Sequence, residues 1–308
     1  MFDFSKIRAF ILERKALKFL FFGNYFYGFC AVGMALETYS TLDVGIDYAL
    51  LLLLLISVIT FYTHAYRFAH LGFDGSLSKQ QFYYQRNLWY YINYKKLKWL
   101  QLFNAVALCF LSYELFIHPV PISWSARDYT LLIITLLAGL CYIGAGKFSG
   151  RNVRAGKNVI IAWVWAGMTT ALPIAGHELD ADKWLPFLLL FVENFLFVLV
   201  LSIVFDIKDY VLDATNGLAT IPTKLGFKKT LKRTIIPLCV VLFFVHLADL
   251  FIVDDLNIGW KALSFIPFLF LLALPRLLKR RQSLLFYLFI IDGMMLFKGL
   301  LGFIVHTY

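Results

Sequence analysis

The sequence has little charge and few cysteines, and it lacks the patterns that mark most soluble domains. Charged residues make up 16% of its 308 residues, against about 25% in an average soluble domain. Its four cysteines all fall inside apolar runs, which predicts buried thiols, and no Cys/His spacing typical of a metal site occurs. No cleavable signal peptide and no low-complexity tract is recognisable. These absences exclude disulfide-rich secreted domains and zinc-binding modules.

Apolar residues dominate instead. Hydrophobic residues make up 61% of the chain and the mean hydropathy is +0.74. We therefore predict an integral membrane protein and place it in a bacterial inner membrane. The net charge of +10 could suggest a nucleic-acid partner, but the basic residues occupy short intervals between apolar runs. That distribution is typical of membrane orientation, so we expect membrane lipids around the chain and no nucleic acid.

Nine apolar runs reach the length of about 17–25 residues that a helix needs to span a bilayer. They lie near 17–36, 47–68, 98–117, 128–146, 158–176, 184–205, 234–253, 258–275 and 283–305. The sequence therefore predicts an all-α polytopic membrane protein in which residues 1–308 form a single domain of nine transmembrane helices. Residues 1–16 place apolar and basic side chains on opposite faces, which predicts an amphipathic helix in the membrane interface.

The intervals between these runs alternate in charge. The odd-numbered intervals are acidic or nearly bare, and Glu37, Asp43, Asp180, Asp249 and Asp254 belong to them. The even-numbered intervals are rich in lysine and arginine. Because positive intervals face the cytoplasm, the pattern predicts a cytoplasmic N-terminus and a C-terminus on the outer side.

One stretch, 205–226, reads FDIKDYVLDATNGLATIPTKLG and carries three acids at helical spacing. Asp206, Asp209 and Asp213 stand at i, i+3 and i+7, so a helix places them on one face. Carboxylates this close repel each other unless a cation lies among them. Because carboxylate oxygens are the usual ligands of Mg²⁺, we predict a metal site on these three side chains. A solvated helix end is the alternative.

Ionisable residues also occur inside the apolar runs, where they are costly and usually functional. The candidates are Glu114, Glu193, His246, Asp292 and Lys298. For each of them a hydrogen bond between helices is the competing interpretation. Asp292 and Lys298 are six residues apart and point in different directions, so we expect each to pair with another helix.

The stretch 205–226 resembles the second aspartate-rich motif of the UbiA superfamily of intramembrane prenyltransferases. That motif reads D-x-x-D-x-x-x-D and is followed by G-x-x-T-x-P-x-x-x-G. The matching residues are Asp206, Asp209, Asp213, Gly217, Thr220, Pro222 and Gly226. Two weaker similarities precede it, namely Tyr142 with Lys147 and Arg151, and Lys157-Asn158 followed by AWVWAGMTTALP.

This resemblance implies a helical bundle around a central cavity that opens to the cytoplasm. It implies an enzyme that transfers an isoprenyl group from a prenyl diphosphate to an aromatic or lipophilic acceptor, with Mg²⁺ as the cofactor. A diphosphate leaving group needs cations to take up its developing charge. The basic residues expected to contact it directly are Lys147, Arg151, Arg154 and Lys208.

The chain departs from the family pattern at the first aspartate-rich motif, N-D-x-x-D-x-x-x-D after the second helix. THAYRFAHLGFDGS stands there, and Asp74 is the only acid between Asp47 and Glu114. Arg67 is the candidate substitute cation, since a guanidinium binds phosphate bidentately; an arginine that reaches the lipid headgroups is the alternative.

A second function therefore stays open. The chain could be a non-catalytic accessory membrane protein that binds an isoprenoid or a lipid phosphate on the same scaffold. A transporter is disfavoured, because the sequence shows no clear internal repeat.

Overall fold

The computed structural model describes residues 15–67, 82–117, 125–143, 156–215, 219–252, 257–278, 282 and 286–307. Within these ranges the chain is helical and contains no strand. The helices are α1 (Lys15–Phe22), α2 (Tyr25–Thr41), α3 (Tyr48–Arg67), α4 (Phe82–Phe116), α5 (Ala126–Ile143), α6 (Gly156–Ala166), α7 (Trp184–Thr215), α8 (Ile221–Leu225), α9 (Phe227–Thr230), α10 (Ile236–Ile252), α11 (Ile258–Ser264), α12 (Ile266–Leu277) and α13 (Gly293–Thr307). Turns of π-helix extend α6 (Gly167–Ala171) and precede α10 (Leu231–Ile235) and α13 (Phe286–Ile291).

Every predicted apolar run overlaps a helix, and the all-α membrane fold class is confirmed. Among the described residues, six helical stretches are long and apolar enough to cross a membrane, or seven if α1 and α2 form one bent span. The count of nine crossings, the single-domain assignment and the orientation of the termini stay predictions. Residues 1–14 of the predicted amphipathic helix lie outside the described ranges.

The first predicted run is broken at Gly23-Asn24, where α1 and α2 meet at 61°. Asn24 has a φ of 63°, the left-handed conformation that asparagine tolerates better than most residues. Its Nδ2 donates hydrogen bonds to Thr63 Oγ1 at 3.0 Å and to the Tyr90 hydroxyl at 2.9 Å. The Tyr90 hydroxyl in turn donates to the Phe22 carbonyl at 2.9 Å. Residues from α3 and α4 therefore hold this corner.

Helix α2 packs along α3, α13 and the π-helical turn after α6. Small residues permit its close approach to α13, because a Cβ added at Gly299 would overlap the backbone of Gly33 and Met34. A Cβ added at Gly302 would overlap the side chain of Glu37 in the same way. Small residues at membrane helix interfaces bring helix backbones together and increase their van der Waals contact.

Helix α4 is 35 residues long, which corresponds to about 52 Å. It begins 16 residues before the predicted run at 98–117, so part of the interval between the second and third runs is helical as well. Its outer side exposes Trp99, Phe103, Val106 and Phe110. An apolar surface of this kind is suited to contact with lipid acyl chains.

Candidate functional site

The C-terminal part of α7 carries Asp206, which is buried with 4% of its surface exposed. The first turn of α6 supplies both partners of this carboxylate. Lys157 Nζ lies 2.8 Å from Asp206 Oδ1, and Asn158 Nδ2 donates to Asp206 Oδ2 at 2.8 Å. Each carboxylate oxygen thus has a donor, and one of the donors is a cation. A buried charge is tolerated when it is paired and hydrogen-bonded in this way.

A second ion pair lies half a turn further along α7. Lys208 Nζ is 3.5 Å from Asp209 Oδ2, and the same ammonium lies 5.1 Å from the Phe205 ring centre and 6.0 Å from that of Tyr287. Ring faces attract cations at such distances. We call Lys157, Asn158, Asp206, Lys208 and Asp209 the Asp206 cluster.

Two further charged residues lie beside the cluster. Arg86 of α4 lies over the Tyr66 ring, with Cζ 4.0 Å from the ring centre, and is near enough to Lys208 for their charges to interact. Asp292, between the last π-helical turn and α13, also interacts with Lys208 and accepts a hydrogen bond from Tyr27. Helices α4, α6 and α7 and the residue before α13 thus bring cations and acids to one end of the bundle.

Aromatic rings cover the side of the bundle interior next to these charges. Tyr27 stacks on Tyr62 with ring centres 4.5 Å apart and planes 8° from parallel. Trp165 Nε1 donates to the Tyr62 hydroxyl at 3.2 Å. The rings of Tyr62 and Tyr66 are 6.3 Å apart, so the aromatic residues lead from Trp165 towards Arg86. Such rings can accept both an apolar chain and a positive charge.

The intramembrane polar residues meet at a different depth. Lys298 of α13 is 2% exposed, and its Nζ lies 2.8 Å from both carboxylate oxygens of Glu37 and 2.9 Å from Glu193 Oε1. It also donates to Asn194 Oδ1 at 2.7 Å. Glu193 precedes Asp206 by 13 residues on α7, a rise of about 20 Å.

Histidine and serine side chains extend this group. His246 Nδ1 is 2.8 Å from Glu193 Oε2, and His246 Nε2 is 2.9 Å from Ser264 Oγ. We call Glu37, Glu193, Asn194, His246 and Lys298 the Lys298 network. The expectation that Lys298 pairs with another helix is confirmed. The placement of Glu37 and Asp249 in outer intervals is wrong, because both are buried inside the bundle with 5% and 3% of their surface exposed.

No family model and no curated protein matches the chain, but solved structures do. A digeranylgeranylglyceryl phosphate synthase is similar with a TM-score of 0.59 and 16% identity, over 94% of this chain and 97% of that one. A UbiA homologue from Archaeoglobus fulgidus bound to GPP and Mg²⁺ is similar with a TM-score of 0.55 and 15% identity, over 94% of this chain and 100% of that one. The chain has the UbiA fold. The resemblance to the UbiA superfamily that the stretch 205–226 suggested is thereby confirmed at the level of the fold.

The three predicted metal ligands lie on one helix, but two of them are in contact with protein groups, Asp206 with Lys157 and Asn158 and Asp209 with Lys208. Asp206 and Asp209 belong to the Asp206 cluster, and Asp213 is buried one turn beyond Asp209. Within the described ranges, no three His, Cys, Asp or Glu side chains are placed so that they could hold a metal ion. Lys147, Arg151, Arg154 and the side chain of Arg67 lie outside those ranges. Of the five predicted phosphate-binding cations, Lys208 is therefore the one whose position is described.

The residues of this UbiA fold nevertheless fit a Mg²⁺ ion by their chemistry. Carboxylate oxygens are the donors that Mg²⁺ prefers, and Asp206 and Asp209 each have a cationic group beside them, Lys157 and Lys208. Both carboxylates therefore already have a positive charge beside them in this structure, as carboxylates this close to each other require.

Sequence reasoning missed several members of the site. Arg86 belongs to one of the basic even-numbered intervals, and Lys157 and Asn158 occur only in a weak family similarity. The signal for Lys157 and Asn158 was their position, since they stand where a basic interval meets an apolar run. Nothing in the sequence indicated that Arg86 lies over Tyr66, because the two residues belong to different helices.

Proposed function

We propose that this chain is a UbiA-like membrane prenyltransferase that transfers an isoprenyl group from a prenyl diphosphate to an aromatic or lipophilic acceptor. The observation that carries the proposal is the Asp206 cluster, which places cations and acids next to an aromatic surface in a UbiA fold. Structures of a UbiA homologue bound to GPP with Mg²⁺ and to DMAPP with Mg²⁺ support a prenyl diphosphate as the substrate class.

We assign the diphosphate to the cations around Asp206. Lys157, Lys208 and Arg86 converge there from three helices, and ammonium and guanidinium groups make strong charge-assisted hydrogen bonds to phosphate oxygens. When the bond between the prenyl carbon and the diphosphate oxygen breaks, its electron pair leaves with the diphosphate. Fixed cations stabilise the charge that develops. Arg67, Lys147, Arg151 and Arg154 stay proposed as further contacts.

We propose that Asp206, Asp209 and Asp213 hold Mg²⁺; because the described side chains do not surround a common point, binding requires these three side chains to turn towards the ion. When bound, the ion supplies charge neutralisation for the diphosphate oxygens. Lys157 and Lys208 compensate the charges of Asp206 and Asp209 in this structure, and we propose that each lysine transfers its contact to a phosphate oxygen when the diphosphate binds. The Asp206 cluster therefore contains both carboxylates that can bind a metal ion and ammonium groups that can bind an anion.

The prenyl carbon is assigned to the aromatic side of the cluster. The faces of Tyr27, Tyr62 and Tyr287 can stabilise the positive charge left on that carbon. The acceptor supplies the electron pair of the new bond and loses a proton. A lipophilic acceptor fits the apolar surroundings, because water is excluded where the rings pack against each other.

The second candidate, a non-catalytic protein that binds an isoprenoid or lipid phosphate, is favoured by one observation. Both oxygens of Asp206 are already engaged by Lys157 and Asn158, so this carboxylate has a cationic partner without a metal ion. An incubation assay distinguishes the two candidates. Purified protein is incubated with labelled prenyl diphosphates of several lengths, Mg²⁺ and a membrane lipid extract. Release of diphosphate with a labelled lipid product supports the enzyme, and binding without release supports the accessory protein.

Lys208→Ala should weaken prenyl diphosphate binding by about tenfold or more, because a charge-assisted hydrogen bond contributes about 1.5–3 kcal/mol. The dissociation constant is measured with labelled prenyl diphosphate in matched detergent. Lys232→Ala is the control, since it removes an exposed lysine of the turn before α10. Equal affinities of Lys208→Ala and the parent would remove Lys208 from the phosphate site.

Asp209→Asn should abolish most of the Mg²⁺-dependent part of that binding while changing stability little. An amide keeps the shape of the side chain but is a poor ligand for Mg²⁺ compared with a carboxylate. The measurement is a Mg²⁺ titration of prenyl diphosphate affinity, with exposed Glu178→Gln as the matched control. Undiminished Mg²⁺ dependence in Asp209→Asn would contradict the metal assignment.

A further inference from the structure

A small cavity adjoins the Lys298 network at the end of the bundle opposite the Asp206 cluster. It has a free volume of about 10 Å³, which is roughly the space that one water molecule requires. Its ionisable lining residues come from four helices and are Glu37, Glu193, His246, Asp249, Lys298 and His306. These are all the titratable side chains of the cavity lining in the described part of the chain.

Asp249 lines the cavity but is not part of the Lys298 network. It lies on α10 one turn after His246 and is 3% exposed. Its Oδ1 has no hydrogen-bond partner among the described residues. An ionised carboxylate in a dry interior costs several kcal/mol unless it is paired, so a group in this position favours its neutral, protonated form.

His246 lies between an acid and a hydroxyl group. Its Nδ1 is 2.8 Å from Glu193 Oε2 and its Nε2 is 2.9 Å from Ser264 Oγ, which also lies 2.7 Å from the Lys261 carbonyl oxygen. An imidazole ring carries at most one positive charge, so His246 adds no more than one cation to the group.

The remaining charges can then be counted. Lys298 and His246 supply at most two positive charges, whereas Glu37, Glu193 and Asp249 are three carboxyl groups. Since burial in hydrocarbon requires near neutrality, at least one more proton must be present at the cavity. Asp249 and His306 are the two ionisable lining groups outside the contacts of Lys298 and His246 with Glu37 and Glu193. His306 is half-buried, lines the cavity and stands one residue before the end of α13, so it connects the cavity with the end of that helix.

We propose that Asp249 and His306 form an intramembrane proton-binding site, in which the Asp249 carboxyl holds one proton and His306 exchanges it with the water beyond the end of α13. The ligand class is a proton carried by water. The site is independent of the prenyl diphosphate chemistry and lies at the other end of α7. Loss of the proton leaves one uncompensated negative charge between α2, α7, α10 and α13.

Infrared spectroscopy of the full-length protein in lipid nanodiscs tests the site, because a protonated carboxylic acid has a carbonyl band separate from that of carboxylates. At neutral pH we expect such a band in the parent and a loss of intensity equal to one carboxyl group in Asp249→Asn. The amide has the shape of the neutral acid, and Asp249→Leu serves as a second variant in case the amide does not fold. Glu178→Gln removes an exposed carboxylate and should leave the band unchanged.

The exchange route is tested by transferring the parent into heavy water and following the isotope shift of the same band. His306→Phe should slow that shift, since histidine relays protons and phenylalanine does not. Absence of the band in the parent, or equal intensity in the parent and either Asp249 variant, would overturn the site. An unchanged exchange rate in His306→Phe would overturn the route through His306.

Discussion

Lys298→Met is expected to lower the free energy of unfolding by about 3–5 kcal/mol, which is the cost of breaking a buried ion pair by removing one partner. The ammonium binds both oxygens of Glu37 and one oxygen of Glu193. Methionine fills a similar volume but leaves the Glu37 carboxylate buried without a cation. The measurement is denaturant unfolding in mixed micelles, followed by circular dichroism.

Two companion variants make this result specific. Lys298→Met combined with Glu37→Gln removes one charge of each sign and should regain most of the lost stability, because the net charge of the buried group then stays as it is in the parent. Lys96→Met changes an exposed lysine of α4 and should stay within about 0.5 kcal/mol of the parent. A single Lys298→Met variant as stable as the parent would show that the network contributes nothing to folding.

Gly299→Ala is expected to destabilise the bundle by about 1–3 kcal/mol, the usual cost of overpacking a close-packed interior. The added methyl group would overlap the backbone of Gly33 and Met34 in α2. Backbone atoms cannot turn aside as a flexible side chain can, so α13 must move away from α2. Lys298 precedes Gly299 on α13, so that movement also lengthens the contact between Lys298 and Glu37.

Gly139→Ala is the matched control for this substitution. Gly139 also lies inside an apolar helix, but its Cβ would meet only Val164 Cγ2, at an ordinary contact distance of 3.9 Å. Because alanine favours the helix over glycine by up to about 1 kcal/mol, Gly139→Ala should be neutral or stabilising. Opposite signs for the two variants in the same unfolding assay are the expected result, and equal losses would contradict close packing at Gly299.

The apolar runs predicted the helices well because a membrane span must satisfy its own backbone hydrogen bonds. The run at 184–205 became α7, and the helical spacing of its acids correctly placed Asp206 and Asp209 on that helix. The break at Gly23-Asn24 could not be predicted with certainty, since Asn24 takes its bent conformation with help from Thr63 and Tyr90. Those partners lie 39 and 66 residues away in the chain.

The pairing of charges was the less predictable part. Asp206 was predicted to need a cation, but its partner Lys157 is 49 residues away and on another helix. Lys298 and Glu193 were recognised because they interrupt apolar runs. Glu37 and Asp249 were missed because they stand at the edges of runs, where a single sequence does not show whether an acid faces water or protein.

The contact between Glu37 and Lys298 joins residues 261 positions apart, and this separation has a consequence for biosynthesis. Synthesis proceeds from the N-terminus, so α2 enters the membrane with its acid long before the ribosome reaches Lys298. Until α13 is made, no residue of the nascent chain can supply that ammonium. Helix α13 therefore completes the interior next to a helix whose Glu37 was made 261 residues before Lys298, and a chain truncated before α13 would leave Glu37 and Glu193 without the Lys298 ammonium.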